Sequence, residues 1–153
     1  MMQFPSDQPV YSLCYDDMSA PNVAPKQLSD PVDPKSKDRL FQKGLDAFNS
    51  GRFYDAHEEW EEVWLETSNP EKIFLQGLIQ VAAAYHHYLR SNARGTRTLL
   101  REGTAKLNQF PDFHRGIELR RLLEVARIWL IALERGELPD ASEIPLIGVS
   151  DGR

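Results

Sequence analysis

Residues 51–88 carry the strongest pattern in this chain and read GRFYDAHEEWEEVWLETSNPEKIFLQGLIQVAAAYHHY. Apolar side chains recur every three or four residues in two runs, which are separated by Asn69 and Pro70. This spacing predicts two α-helices joined by a short turn. The first has one apolar stripe, whereas the second is apolar or small on nearly every side. The second is therefore expected at the centre of the fold, with neighbours on both sides.

Three further helices are predicted outside this pair, so that the central two are helices 2 and 3. Helix 1 begins after Ser36, helix 4 follows Asn92, and helix 5 spans about residues 116–135. Ser36 and Asn92 are residue types that cap the first turn of a helix. Short turns between consecutive helices favour antiparallel hairpins. We therefore predict an all-α fold, a compact bundle of about five helices built from two tetratricopeptide-like hairpins plus a closing C-terminal helix.

The segments on either side of the helices have no helical periodicity. Residues 1–35 hold six of the ten prolines in the chain, and we predict a flexible Pro-rich arm because this segment lacks an apolar pattern. Residues 136–153 include Pro139 and Pro145 and are predicted to be an irregular C-terminal tail. The helical domain is therefore predicted to span residues 36–135.

Composition restricts the kinds of partner. The chain has 153 residues, which suits one domain, and a formal net charge of −5, which disfavours general binding to nucleic acid or anionic membranes. Cys14 is the single cysteine, so neither an intrachain disulfide nor a cysteine-based zinc site is possible. No run of about 18 apolar residues is present to span a bilayer, and the N-terminus does not resemble a signal peptide. We therefore predict a cytoplasmic protein without membrane contact.

Two motifs resemble a known family. They are HEEW at residues 57–60 and QGLIQ at residues 76–80, and they are followed by Asn92 and Gly95. Together they make residues 38–107 similar to the domain-of-unknown-function family numbered 309, which is found in bacteria and archaea. The resemblance implies a compact all-helical fold and no established activity.

Polar side chains of helices 2 and 3 form the first candidate site. On helix 2, His57 and Glu61 are one turn apart and can touch. Several more candidates for a ligand pocket or polar cluster lie on the same two helices, namely Trp64, Gln76, Gln80 and His87. These side chains either satisfy one another as a structural clip or leave room for a ligand. Trp64 either stacks on such a ligand or fills the core.

A metal is the alternative occupant of this site. His57, Glu61 and His87 are residue types that bind zinc, iron or manganese, or that transfer a proton. The run from His57 to Glu61 is not the zinc-protease motif, because its second histidine is absent. No cofactor is therefore predicted, and a divalent metal at these three side chains remains the alternative.

Arginines on helix 4 form the second candidate surface. Arg94, Arg97 and Arg101 fall within about 60° of one another on the helix, and Arg90 lies in the preceding turn. Residues 90–121 have eight basic side chains against three acidic ones. This face is predicted to bind a small anion or an acidic protein surface, or else to be solvated. Nucleic-acid binding is not predicted, because no aromatic side chains alternate with the arginines.

The sequence favours a non-catalytic binding or protein-interaction module, because no nucleophile with its base and no complete metal-ligand set is visible. The alternative is a metal-assisted hydrolase with its His and Glu side chains between helices 2 and 3. A protein partner or self-association is predicted. Self-association is favoured by the additional apolar side chains of helix 5, which are Val125, Ile128 and Ile131.

Overall fold

The computed structural model describes residues 34–149, and within this range the chain forms five α-helices and a small three-stranded sheet. The helices are α1 (Pro34–Asn49), α2 (Phe53–Leu65), α3 (Glu71–Leu89), α4 (Ala93–Leu107) and α5 (Arg120–Glu134). The antiparallel strands are β1 (Phe113–His114), β2 (Ile117–Glu118) and β3 (Gly148–Val149), in the order β1-β2-β3.

The predicted all-α class with two helical hairpins is confirmed. In the described part of the chain, no helix is both long and apolar enough to cross a membrane. Residues 1–33 of the predicted arm lie outside the described residues. Pro34 and Lys35, which the sequence assigned to the arm, already belong to α1.

Helix α3 is the centre of the fold, as its apolar sides predict. Helices α2 and α4 pack against it, and its residues from Gly77 to Tyr85 are all buried. Gly77 and Gly103 allow α3 and α4 to approach closely, because a Cβ atom on Gly103 would lie 2.9 Å from the carbonyl oxygen of Gly77. Side chains on α3 are therefore placed directly against α4.

Helices α1 and α2 pack through a glycine and a tryptophan. The indole of Trp60 lies against Gly44, where a Cβ atom would overlap the ring. Its Nε1 donates a hydrogen bond of 3.1 Å to the carbonyl oxygen of Phe41. This contact orients α2, so that His57 and Glu61 lie on a side of α2 other than the one facing α1.

The start of α5 differs from the prediction. Helix 5 was expected from about Gly116, whereas residues 113–118 form a β-hairpin and α5 begins at Arg120. Arg115 and Gly116 have φ angles of 52° and 78°, the pair of positive values found in a type I′ hairpin turn. Positive φ at two successive residues reverses the chain and excludes an α-helix at this point.

Side chains of the hairpin fasten it to α1 and α3. Arg115 places Nη1 3.5 Å from Oε2 of Glu71 and its Cζ 4.5 Å from the centroid of the Phe41 ring. His114 makes a close hydrogen bond to the same Glu71 carboxylate. The hairpin therefore closes the end of the bundle where α3 begins.

Residues 136–149 of the predicted irregular tail contain short regular elements, whereas residues 150–153 lie outside the described residues. Residues Ala141–Glu143 form a 3-10 helix, and β3 pairs with β2. Asn49 accepts a hydrogen bond of 2.8 Å from the amide of Ile147 and donates one of 3.1 Å to its carbonyl oxygen. Ile147 itself is buried. This segment has no periodic apolar pattern and is held in place by a few separate contacts. Sequence periodicity does not predict contacts of this kind.

Candidate functional site

His57 and Glu61 lie one turn apart on α2, as their spacing predicts. Nε2 of His57 is 3.8 Å from Oε2 of Glu61, which is longer than a direct hydrogen bond. His57 is completely buried. Burial, and then the nearby His86, lower the pKa of His57 to about 4. The imidazole is therefore neutral at pH 7, and this pair is not an ion pair at that pH.

Tyr54 and His86, which are not among the predicted site residues, lie near His57. The ring centroid of Tyr54 lies 5.5 Å from those of both His57 and His86. Burial, and then the charges of His87 and Arg90, lower the pKa of His86. Tyr54 precedes His57 by three residues, a helical spacing that could have identified it. His86 is on α3, and it lies near Tyr54 and His57 only because α3 packs against α2.

His87 is oriented toward the start of α4. The Asn92 side chain caps α4 by accepting a hydrogen bond of 2.9 Å from the amide of Gly95. Because the amide oxygen is used in this way, the Nδ2 of Asn92 donates to Nδ1 of His87, at 3.1 Å. A neutral His87 therefore has its proton on Nε2. His87 and Asn92 form a connection between α3 and α4.

Gln80 also faces α4. It is completely buried, and Nζ of Lys106 donates a hydrogen bond of 2.9 Å to its Oε1. Its own Nε2 donates to Oε1 of Glu102 at 3.2 Å. Burial lowers the pKa of Lys106, whereas the charge of Glu102 raises it. Glu102 and Lys106 are one turn apart and absent from the predicted set, although this spacing could have indicated them.

Trp64 lies near the end of α2 and is buried. Nζ of Lys72 is 4.4 Å from the centroid of its ring, in a cation–π contact. Its Nε1 has no hydrogen-bond partner within residues 34–149. Gln76 is half-buried on α3. The burial of Trp64 supports its interpretation as a core side chain.

The predicted polar cluster has two parts. Gln80 bonds to Glu102 and Lys106 on α4. His87 bonds to the cap of α4 and also lies beside His86, which contacts Tyr54 next to His57. Across residues 34–149, no group of three His, Cys, Asp or Glu side chains is arranged to hold a metal ion. The set His57, Glu61 and His87, on which the hydrolase alternative depends, is therefore not such a group.

The predicted arginine surface lies on the outer side of α4. Arg94 and Arg101 are exposed, Arg97 is half-buried, and Arg90 is exposed in the turn before α4. Nη2 of Arg101 is 3.3 Å from Oε2 of Glu134 on α5. Exposed ion pairs of this kind contribute at most about 1 kcal/mol to stability. Arg90 and Arg94 lie beside an apolar part of the surface.

Two apolar grooves meet at Leu89, the last residue of α3. One has a volume of about 260 Å³, and its lining residues are Tyr88, Leu89, Ser91, Ala93 and Leu138. The other has a volume of about 340 Å³ and lies between the α1–α2 turn and the C-terminal segment, where Leu146 is exposed. Leu89 is 51% exposed between them. Helical periodicity does not predict this surface, because residues far apart in the chain form it.

Residues 41–99 match the family model "Domain of unknown function (DUF309)". This match confirms the family resemblance. The matched segment extends from α1 into α4 and contains His57, Glu61 and the other candidates of the polar cluster. It also contains Arg90, Arg94 and Arg97, whereas Arg101 and α5 follow it.

A relative from Aquifex aeolicus (strain VF5), described as an uncharacterized protein, is 36% identical over 89 residues. The similarity covers 56% of this chain and 27% of that protein. The matched part therefore corresponds to about a quarter of the relative, and the relative's name carries no information about activity.

Proposed function

We propose that this protein is a non-catalytic interaction module that binds another protein through the two grooves at Leu89. The observation that carries this proposal is the exposure of Leu89 between two apolar grooves. An exposed apolar surface beside charged side chains is typical of a protein-binding site. A cytoplasmic location is part of the proposal.

The charges around the first groove restrict the partner. Arg90 and Arg94 are exposed next to its lining residues. The Tyr88 hydroxyl donates a hydrogen bond to the carbonyl oxygen of Pro139, so the segment that contains Asp140 and Glu143 lies beside the same groove. Burial, and then the charges of these two carboxylates, raise the pKa of Tyr88. The two sides of the groove therefore have opposite charge. The partner that fits is a protein segment with apolar anchors, an acidic residue toward Arg90 and Arg94, and a basic residue toward the carboxylates.

The buried polar groups support a role without catalysis. A catalytic base must reach the substrate proton, and His57 is completely buried. Gln80 and His87 form hydrogen bonds that join α3 to α4 and its cap. We assign these hydrogen bonds a role in stabilising the helical bundle. The proposed binding site is therefore on the surface.

Selection from a library of short peptides displayed on phage tests the proposal. We expect the full chain to enrich peptides that have two apolar anchors and an acidic residue. Leu89→Asp is expected to weaken their binding at least about tenfold, and the double variant Arg90→Glu, Arg94→Glu should weaken binding of those with acidic residues.

Leu65→Asp is the matched control, because Leu65 is an exposed leucine on α2. It should bind the selected peptides as the wild type does. Peptides that bind the Leu89→Asp variant and the wild type equally, or a selection that enriches none, would contradict the proposal.

A further inference from the structure

Helix α5 and the residue that caps its C-terminus form an exposed stripe on the outer side. Its members are Glu124, Ile128 and Ile131 on α5 and Arg135 directly after it, all of which are exposed. At about 100° per residue, these four positions fall within about 60° of one another. Ile128 is 60% exposed and Ile131 is 46% exposed. The stripe therefore has a small apolar centre, an acidic side chain at one end and a basic side chain at the other.

The stripe is complementary to itself when one copy is reversed. With a rise of about 1.5 Å per residue, Glu124 and Arg135 each lie about 8 Å from the midpoint between the two isoleucines. A second α5 in antiparallel orientation therefore places Glu124 opposite Arg135 and Ile128 opposite Ile131. Two-fold symmetry produces each of these contacts twice.

Other arrangements of two α5 helices are less favourable. A parallel copy would place Glu124 opposite Glu124 and Arg135 opposite Arg135, and like charges in such positions repel. In the antiparallel arrangement Arg127, the neighbouring basic residue, lies opposite Ala132 and meets no like charge. Within residues 34–149, neither Glu124 nor Arg135 has an ion-pair partner. Both side chains are exposed, and among the described residues neither charge is already used in an ion pair.

We infer that this protein forms a two-fold symmetric dimer through the Glu124, Ile128, Ile131 and Arg135 stripe of α5. The inference is independent of the proposed binding function, which uses the grooves at Leu89. Two isoleucines per copy form a smaller apolar centre than that of a standard interface, which buries about 800 Å² on each partner. The dimer is therefore expected to be in concentration-dependent exchange with the monomer.

Sedimentation velocity of the full chain, from about 1 µM to about 1 mM, measures this association. The sedimentation coefficient of the wild type should rise from the monomer value to the dimer value. Glu124→Arg and Arg135→Glu, made singly, should each raise the dissociation constant at least about tenfold, because each opposes like charges. The double variant Glu124→Arg, Arg135→Glu restores opposite charges and should return the dissociation constant to within about threefold of the wild type.

Two further variants separate the stripe from general charge effects. Glu137→Arg reverses an exposed charge outside the stripe and should leave the dissociation constant unchanged. Ile128→Ser should abolish dimer formation, while circular dichroism shows that the helices remain. A wild type that stays monomeric throughout the concentration range would overturn the inference. So would a double variant that associates no better than the single variants.

Discussion

The Nδ2 of Asn92 lies 3.1 Å from Nδ1 of His87, so that the residue that caps α4 also fixes the orientation of a buried histidine on α3. The same side chain accepts a hydrogen bond of 2.9 Å from the amide of Gly95. A Cβ atom on Gly95 would lie 2.7 Å from Nδ2 of Asn92 and 3.1 Å from Cγ of His87. Three residues from the end of one helix and the start of the next thus form a close-packed unit.

Replacing Asn92 should destabilise the fold through two separate losses. Asn92→Ala removes both the helix cap and the donor to His87, and we expect a loss of about 2 kcal/mol in the free energy of unfolding, measured by urea denaturation. Asn92→Ser retains a cap and should lose about half as much. Asn108→Ala, an exposed control just after α4, should change stability by less than about 0.5 kcal/mol. If Asn92→Ala costs no more than this control, the double role is wrong.

The buried His57 should make stability depend on pH. Its pKa of about 4 in the folded protein is below the ordinary value of 6.5, so between these values the unfolded chain binds a proton that the folded chain does not. The free energy of unfolding should therefore fall as the pH decreases through this range, by about 2 kcal/mol from pH 7 to pH 5. From about one pH unit above 6.5, His57 is neutral in both the folded and the unfolded chain, and its protonation no longer changes the free energy of unfolding.

A His57→Gln variant isolates this effect, because glutamine does not titrate. Urea denaturation of the variant at the two pH values should lack the part of the pH dependence that His57 contributes in the wild type. Equal changes in the free energy of unfolding for the variant and the wild type would show that folding does not lower the pKa of His57.

Gly44 should not tolerate a larger side chain. A Cβ atom at this position would overlap the indole of Trp60, and crowding in a packed core costs about 1–3 kcal/mol. We therefore expect Gly44→Ala to lower the thermal midpoint, although alanine is the better helix former. Gln42→Ala, at an exposed position of the same helix, should leave the midpoint unchanged or raise it slightly. A Gly44→Ala variant as stable as the wild type would contradict the contact.

Gln80 and Lys106 should be energetically coupled. Lys106→Met leaves the buried Oε1 of Gln80 without the hydrogen bond of 2.9 Å that it accepts from Nζ, and such a loss costs about 1–3 kcal/mol. In a Gln80→Leu background this acceptor is absent, so the same change should cost less. A double-mutant cycle by urea denaturation should give a coupling energy of at least about 0.5 kcal/mol. Additive effects of the two changes would show that the bond does not stabilise the protein.

Relationships within one helix could be predicted from the sequence. The proximity of His57 to Glu61, and the shared outer face of Arg94, Arg97 and Arg101, follow from the constant rotation of an α-helix per residue. The burial of α3 followed from apolar or small side chains on nearly all its sides. These features depend on residues within a few turns of one another.

Relationships between helices were harder to predict. Gln80 was expected beside His57, but it faces Glu102 and Lys106 on α4 because Gly77 and Gly103 bring those two helices together. Asn49 and Ile147, which are far apart in the chain, form two hydrogen bonds. Helical periodicity gives no information about contacts of this kind.

The sequence by itself determined the helices, the faces that are buried, and the family to which residues 41–99 are similar. The tertiary structure decided which buried polar groups meet: Gln80 bonds to Glu102 and Lys106, and His87 bonds to Asn92. It also created the grooves at Leu89 from the end of α3 and the C-terminal segment. The physical reason is that periodicity is a local property of the backbone, whereas the choice of neighbours depends on close packing between distant segments.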